Sequence, residues 1–205
     1  KGIVTGYKND LDKAQAIYDW IVDNTFRDPK VKGCGIGDIT TMLESGYLGG
    51  KCADLNALYV GLARAAGLPA RDVYGVRIAT SAEFKSLGKA DDITGAQHCR
   101  AEVYLNGYGW VPVDPADVRK VVLEENLPGD QLPVDDPKVK KARAKLFGAW
   151  EMNWLPYNYS HDVKLPQSRG PEIAYLMYPQ GETANGRKDS LDPKNFNYSI
   201  KSKEV

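Results

Sequence analysis

A thiolate, an imidazole and a carboxylate held in line can attack an acyl carbon, move the proton that must move, and fix the ring that moves it. The chain carries one candidate set for this chemistry: Cys52, His98 and Asp114. Cys52 follows Gly49-Gly50-Lys51 and opens a stretch in which Leu55, Leu58, Tyr59, Leu62 and Ala63 recur at helical spacing. A cysteine at a helix start has the positive end of the backbone dipole beside its sulfur, which favours the thiolate near neutral pH. The preceding glycines let the loop approach a substrate backbone closely, and the Cys52 amide is a candidate donor to a developing oxyanion.

His98 stands just before a predicted strand. From there the even-numbered side chains His98, Arg100, Glu102 and Tyr104 alternate with Cys99, Ala101, Val103 and Leu105. In the next strand Trp110, Pro112 and Asp114 alternate with Val111 and Val113. Packing the apolar sets together places His98 and Asp114 on one side. A plain two-residue turn at Asn106-Gly107 would instead set Asp114 opposite Cys99, on the wrong face, so the pattern requires an odd-length loop around Asn106 to Tyr108, or a bulge. Taken singly, His98 also reads as a strand end, Asp114 before Pro115 as a turn residue, and Cys52 as an inert buried thiol. The case rests on all three converging.

The elements that must position these residues follow from periodicity. Asn9 to Phe26 reads as an amphipathic helix, with Leu11, Ala14, Ile17, Tyr18, Ile21 and Val22 on one face behind an Asn9/Asp10 cap. A glycine-rich patch around Cys34 leads to a short helix from Asp38 to Gly46, and the helix opened by Cys52 ends at Gly67-Leu68-Pro69. Strands are expected over Arg71 to Ile78, Arg100 to Leu105 and Trp110 to Val113. Helices first and an antiparallel sheet after them define an α+β fold. We expect a single domain, with residues 1–118 as catalytic core and 119–205 as an extension packed on it. The extension holds a helix from Pro137 to Phe147 and a last short strand over Phe196 to Ile200. The aromatics between Trp150 and Tyr159 read as core packing rather than a lid.

Composition narrows the partners. Twenty-seven Lys and Arg balance 27 Asp and Glu, which leaves no overall field to gather nucleic acid or anionic lipid. No run approaches the length of a membrane span; the sequence opens at Lys1 without a charged-then-apolar leader, and whether one has been removed stays open. The three cysteines, Cys34, Cys52 and Cys99, include no CxxC pair and suit neither a disulfide scaffold nor a four-ligand zinc site; one Cys34–Cys99 disulfide beside a free Cys52 stays open. His161-Asp162 near Glu151 reads as surface, and no metal or cofactor is implied.

The local strings resemble a known family. Gly50-Lys51-Cys52-Ala53-Asp54, with Leu62-Ala63-Arg64-Ala65-Ala66-Gly67-Leu68-Pro69-Ala70-Arg71, resembles the nucleophile helix and exit of the transglutaminase-like superfamily. His98-Cys99-Arg100-Ala101-Glu102-Val103-Tyr104 and Gly109-Trp110-Val111-Pro112-Val113-Asp114-Pro115 are similar to its histidine and aspartate strands. The resemblance spans Asp10 to Asp117. It implies a papain-related fold, a triad on Cys52, His98 and Asp114, and a peptide or protein substrate held as a thioester and released to water or to an amine. The family usually has Ala-Trp after the histidine, where this chain has Cys99-Arg100, which makes Arg100 a candidate for reshaping the pocket. Tyr47 is a candidate for the side-chain oxyanion donor that the family places upstream of the cysteine. Bacterial members are often extracytoplasmic, so the resemblance points to a periplasmic or secreted setting. Gly49-Gly50-Lys51-Cys52-Ala53-Asp54-Leu55-Asn56 also resembles the opening of the arylamine N-acetyltransferases, and a non-catalytic peptide-binding module of the same fold is a further alternative.

Overall fold

The computed structural model describes residues 2–204. Asn9 accepts a hydrogen bond from the Asp12 amide at 2.8 Å and so caps α1, Asp10–Asn24. Ala14, Ile17, Tyr18, Ile21 and Val22 are buried on its inner face, whereas Leu11, expected there, is exposed. A two-residue strand β1, Phe26–Arg27, leads through the Cys34 loop to α2, Ile39–Ser45, capped by Asp38 and closed by Gly46 at φ +71°. Strand β2, Gly49–Gly50, pairs in parallel with β1 and delivers the chain to α3, Cys52–Ala65. Leu55, Leu58 and Tyr59 of α3 are fully buried against α1 and the sheet.

The sheet comprises β3, Ala70–Arg77, β4, Gln97–Leu105, β5, Gly109–Val113, and a strand from the C-terminal part of the chain. Ala101 pairs with Val113 and Leu105 with Gly109, so the β4–β5 loop is the odd-length Asn106-Gly107-Tyr108 turn that the face pattern requires. Gly107, at φ +85°, takes the left-handed conformation within it. Cys99, Ala101 and Val103 consequently share one face and are buried under α3. Strand β4 begins three residues before its expected start, so His98 lies within the strand and not ahead of it.

Asp114 ends β5 and caps a helix that the sequence reading missed, α4, Pro115–Glu124, by accepting from the Asp117 amide at 3.1 Å. The Asp114-Pro115-Ala116-Asp117 string is itself a helix-start signature, with a capping aspartate and a proline at the first helical position. Helix α5, Pro137–Lys145, follows, and β6, Trp154–Asn158, then pairs with β3 to complete the antiparallel order β5-β4-β3-β6. Position 118 therefore falls inside α4, and the segment beyond it finishes the core sheet. The hairpins β7/β8, His161–Val163 with Ile173–Tyr175, and β9/β10, Glu182–Thr183 with Gly186–Arg187, close the chain. Phe196 to Ile200 forms no strand; the chain is tied down at the end of this stretch, by an isolated bridge between Asp92 and Lys201 and by the Ile93 amide bonding the Ile200 carbonyl at 2.9 Å. No described helix is long and apolar enough to cross a membrane.

Candidate active site

Asp54, at the third position of α3, is buried and accepts three backbone N–H groups, from Lys51 at 2.9 Å and from Ile36 and Gly37 at 3.0 Å each. The carboxylate thereby ties the Cys34 loop to the start of α3 and fixes the backbone on both sides of Cys52. Gly35, at φ +88°, permits the approach: a Cβ there would sit 1.9 Å from Asp54 Oδ2. The Ala53 amide adds a bond to the Cys34 carbonyl at 2.9 Å.

All three cysteines are free and buried, and all three meet. Cys34 and Cys99 both lie against the Cys52 sulfur, so the Cys34–Cys99 disulfide left open by the sequence is replaced by two thiols that flank the third. The Cys34 thiol donates to the Gln97 carbonyl at 3.3 Å. Burial opposes ionisation of Cys52, but the neighbouring Cys34, Cys99 and His98 and the His98 charge outweigh it and hold the pKa well below that of an ordinary thiol. The neighbouring thiols are pushed up correspondingly.

His98 is 2% exposed and sits between this sulfur and a buried charge cluster. Its Nε2 lies 2.7 Å from Asp114 Oδ2 and 3.2 Å from Asp117 Oδ2, which leaves Nδ1 for the sulfur. Burial and the Arg77 charge oppose protonation, but Asp117 and Asp114 prevail and raise the His98 pKa to about 9. Arg77 in turn grips Asp117 with both terminal nitrogens, at 2.6 and 3.0 Å. Asp117 is held well below the usual carboxylate range: burial works against this, and Arg77 and His98 overcome it. Asp114 is raised, first by burial and then by Asp117. Asn56, one helical turn after Cys52, donates to Asp114 Oδ1 at 3.2 Å and to the Cys99 carbonyl at 2.8 Å, and so ties α3 to both strands. His98, Asp114 and Asp117 form a donor set of the kind that holds metals, but two guanidinium groups already face these carboxylates and supply the positive charge.

Arg100 lies on the same sheet face as His98 but behind Asp114, with Nε 3.4 Å from Asp114 Oδ2. Its guanidinium donates to the Glu151 carbonyl at 2.7 Å and lies 4.7 Å from the Trp154 ring and 5.6 Å from that of Trp150. Trp154 Nε1 donates to the His98 carbonyl at 2.9 Å, and Trp150 Nε1 to that of Val113 at 3.2 Å. The two indoles thus brace the strands that carry His98 and Asp114, and the polar face of β4 is dry at its His98 end; Tyr157 and Tyr159, expected in the core with them, are exposed. Tyr47 is exposed, and its hydroxyl donates to Asp28 Oδ2 at 2.9 Å, away from the sulfur. His161 bonds Asp72 at 3.0 Å and the Tyr74 hydroxyl, a partnered position at the edge of the sheet.

A cleft of ≈ 270 Å³ opens beside Cys52. Cys34, Gln97 and Lys51 line it, as do Tyr178 and Leu191 from the C-terminal segment, which forms one wall of the cleft. Asp117, Arg77, Asn56 and Cys34 escaped the sequence reading. Of these, Asp117 had a local signal in its spacing from the capping Asp114, and Asn56 had one in its position a turn after Cys52; Arg77 and Cys34 had none.

A helix-start cysteine facing a strand histidine bonded to a carboxylate on the next strand defines a papain-like, transglutaminase-like core. The family model of the transglutaminase-like superfamily matches residues 1–115, and the chain belongs to that superfamily. A Haemophilus influenzae relative described as an uncharacterized protein is 41% identical over 96% of this chain; the chain spans 55% of that relative's length. Partial structural likenesses join a candidate cysteine protease from Cytophaga hutchinsonii, at 25% identity and TM-score 0.43 over 60% of this chain and 37% of that one, and red sea bream transglutaminase, at 13% and 0.36 over 87% and 34%.

Proposed function

We propose that this protein is a cysteine-dependent acyl-transfer enzyme acting on an amide or peptide bond. The observation that carries the reading is buried His98 held between the Cys52 sulfur and Asp114, in surroundings that lower the thiol's pKa and raise the ring's. In the first half-reaction the Cys52 thiolate attacks the acyl carbon, the C–N bond breaks, and the His98 proton passes to the departing amine, leaving a thioester on Cys52. In the second, water or an amine attacks the thioester, His98 takes the proton of that nucleophile, and the thiolate leaves. Asp114 holds the ring in register and favours its charged form. The Cys52 amide, at the start of α3, is the backbone donor assigned to the developing oxyanion, since the next amide, that of Ala53, is taken by the Cys34 carbonyl.

The test is intact-mass trapping of the acyl-enzyme from a peptide pool. A covalent adduct on the wild-type chain that disappears in Cys52→Ser supports the reading, and an adduct that survives the substitution removes Cys52 as nucleophile. Adding a primary amine then separates the two acceptors, since a transamidated product appears only if an amine competes with water.

A further inference from the structure

The walls of the cleft beside Cys52 carry one sign of charge. Arg27, Lys51, Lys89 and Lys120 line it together with Arg77, and no carboxylate does. Arg77 is spent on Asp117 deep in the site. Arg27 and Lys120 share a single partner behind the wall, Glu124. Lys51 and Lys89 have no ion-pair partner among the described residues. Glu124 answers Arg27 and Lys120, and Asp28 and Asp92 lie near Lys51 and Lys89 without pairing with them, so the lining itself is cationic in a chain whose overall charge is zero.

Such a concentration is costly unless something answers it. Lys120 reports the cost, since burial and then the Arg77 charge disfavour its ammonium form. Low-dielectric walls of one sign focus the field into the cleft and raise the local concentration of the opposite charge.

We propose that the acyl donor presents an anionic carboxylate to this cleft, so that the substrate is an acidic peptide. Lys51 and Lys89 are the residues that select it. The inference rests on the acyl-transfer reading and names its substrate class.

The experiment compares matched peptide pools, one rich in Glu and Asp, one with every such residue replaced by Gln or Asn, and one carrying only a free C-terminal carboxylate. Binding to the Cys52→Ala chain is read by fluorescence anisotropy and turnover on the wild-type chain by kcat/KM. The expected result is a preference of about tenfold or more for the acidic pool at low salt, narrowing at roughly 0.5 M salt as screening sets in. The free-carboxylate pool separates a terminal from a side-chain source. In Lys51→Glu/Lys89→Glu the ratio of acidic to neutral peptide falls below one, and in Lys51→Gln/Lys89→Gln it approaches one. Ratios within one variant cancel any effect of the Lys51 change on the neighbouring thiolate.

Turnover of all pools without charge preference, or a preference unchanged in both double variants, overturns the inference and leaves the reaction standing. Charge-selective binding with no turnover keeps the inference and removes the reaction. Neither binding nor turnover of any pool removes both.

Discussion

Asp117 Oδ2 lies 3.2 Å from His98 Nε2, the same nitrogen that meets Asp114 at 2.7 Å, so the imidazole is held by two carboxylates. Asp114 carries the shorter bond, yet Asp117 carries the firmer negative charge, because Arg77 and His98 keep it ionised against burial while Asp114 is raised. The two therefore divide the work: Asp114 orients the ring and Asp117 stabilises its charge.

Asp117→Asn keeps an oxygen for Arg77 and removes the charge beside His98. The His98 pKa is expected to fall below about 9, read by the NMR titration of its ring. Asp114→Asn removes the orienting bond and is expected to cost kcat far more heavily, by two orders of magnitude or more at about 10²-fold. Equal losses in the two variants would remove the division.

Alkylation of Cys52 by iodoacetamide is expected to stay fast as the pH falls below the roughly 8.5 pKa of a free cysteine, because the thiolate persists there. Cys34→Ala, Cys99→Ala and His98→Gln each remove a neighbour that favours the thiolate, and each is expected to move the alkylation profile to higher pH. On the alkaline side the proton on His98 is present below about 9 and lost as pH rises through that value, so kcat/KM is expected to fall there while alkylation does not. A profile centred near 8.5 in the wild-type chain would exclude a resting thiolate.

Breaking the buried Arg77–Asp117 pair leaves a carboxylate without its guanidinium. Arg77→Met is expected to lower stability by about 3–5 kcal/mol in denaturant unfolding, and Arg77→Met/Asp117→Leu to recover part of the loss, because removing both partners leaves no unpaired charge. A double variant less stable than the single one would contradict this.

Arg100 touches Asp114 from behind and two indole rings, and two of its nitrogens have no hydrogen-bond partner. It is a positioning residue. Arg100→Met is expected to lower kcat with little change in KM and to shift the pH profile, because Asp114 loses a neighbouring positive charge. A variant altered only in KM would place Arg100 in substrate binding instead.

Gly35→Ala brings a Cβ to 1.9 Å from the carboxylate that anchors the loop, in a left-handed conformation. The expected loss is about 2 kcal/mol or more by chemical denaturation, together with slower Cys52 alkylation. Unchanged stability would show that the loop rearranges freely.

Much of the site was legible because its signals are local or periodic. A cysteine at a helix start, a strand with one apolar face, and a second strand ending in aspartate each declare themselves within a few residues. The apolar alternation even dictated the odd loop at Asn106 to Tyr108, since a strand's faces exchange with every single-residue slip. The resemblance to the superfamily covered the same stretch. Helix α4 was the less legible element, because one residue, Asp114, carries two tasks, meeting His98 through Oδ2 and capping the helix through Oδ1.

Sequence by itself determined the α+β order, the pairing of faces and the identity of Cys52, His98 and Asp114 as residues that meet. Tertiary structure alone decided that Cys34 and Cys99 flank the sulfur, that Arg77 and Asp117 buttress the histidine, that Tyr47 turns away, and that residues beyond 150 brace the sheet and wall the cleft. The physical reason is reach. Periodicity and capping report a residue's own turn or strand, while these partners belong to different elements, as with Tyr47 and Asp28 at 19 positions apart, Arg77 and Asp117 at 40 and His98 and Trp154 at 56, and only packing brings them into one dielectric environment.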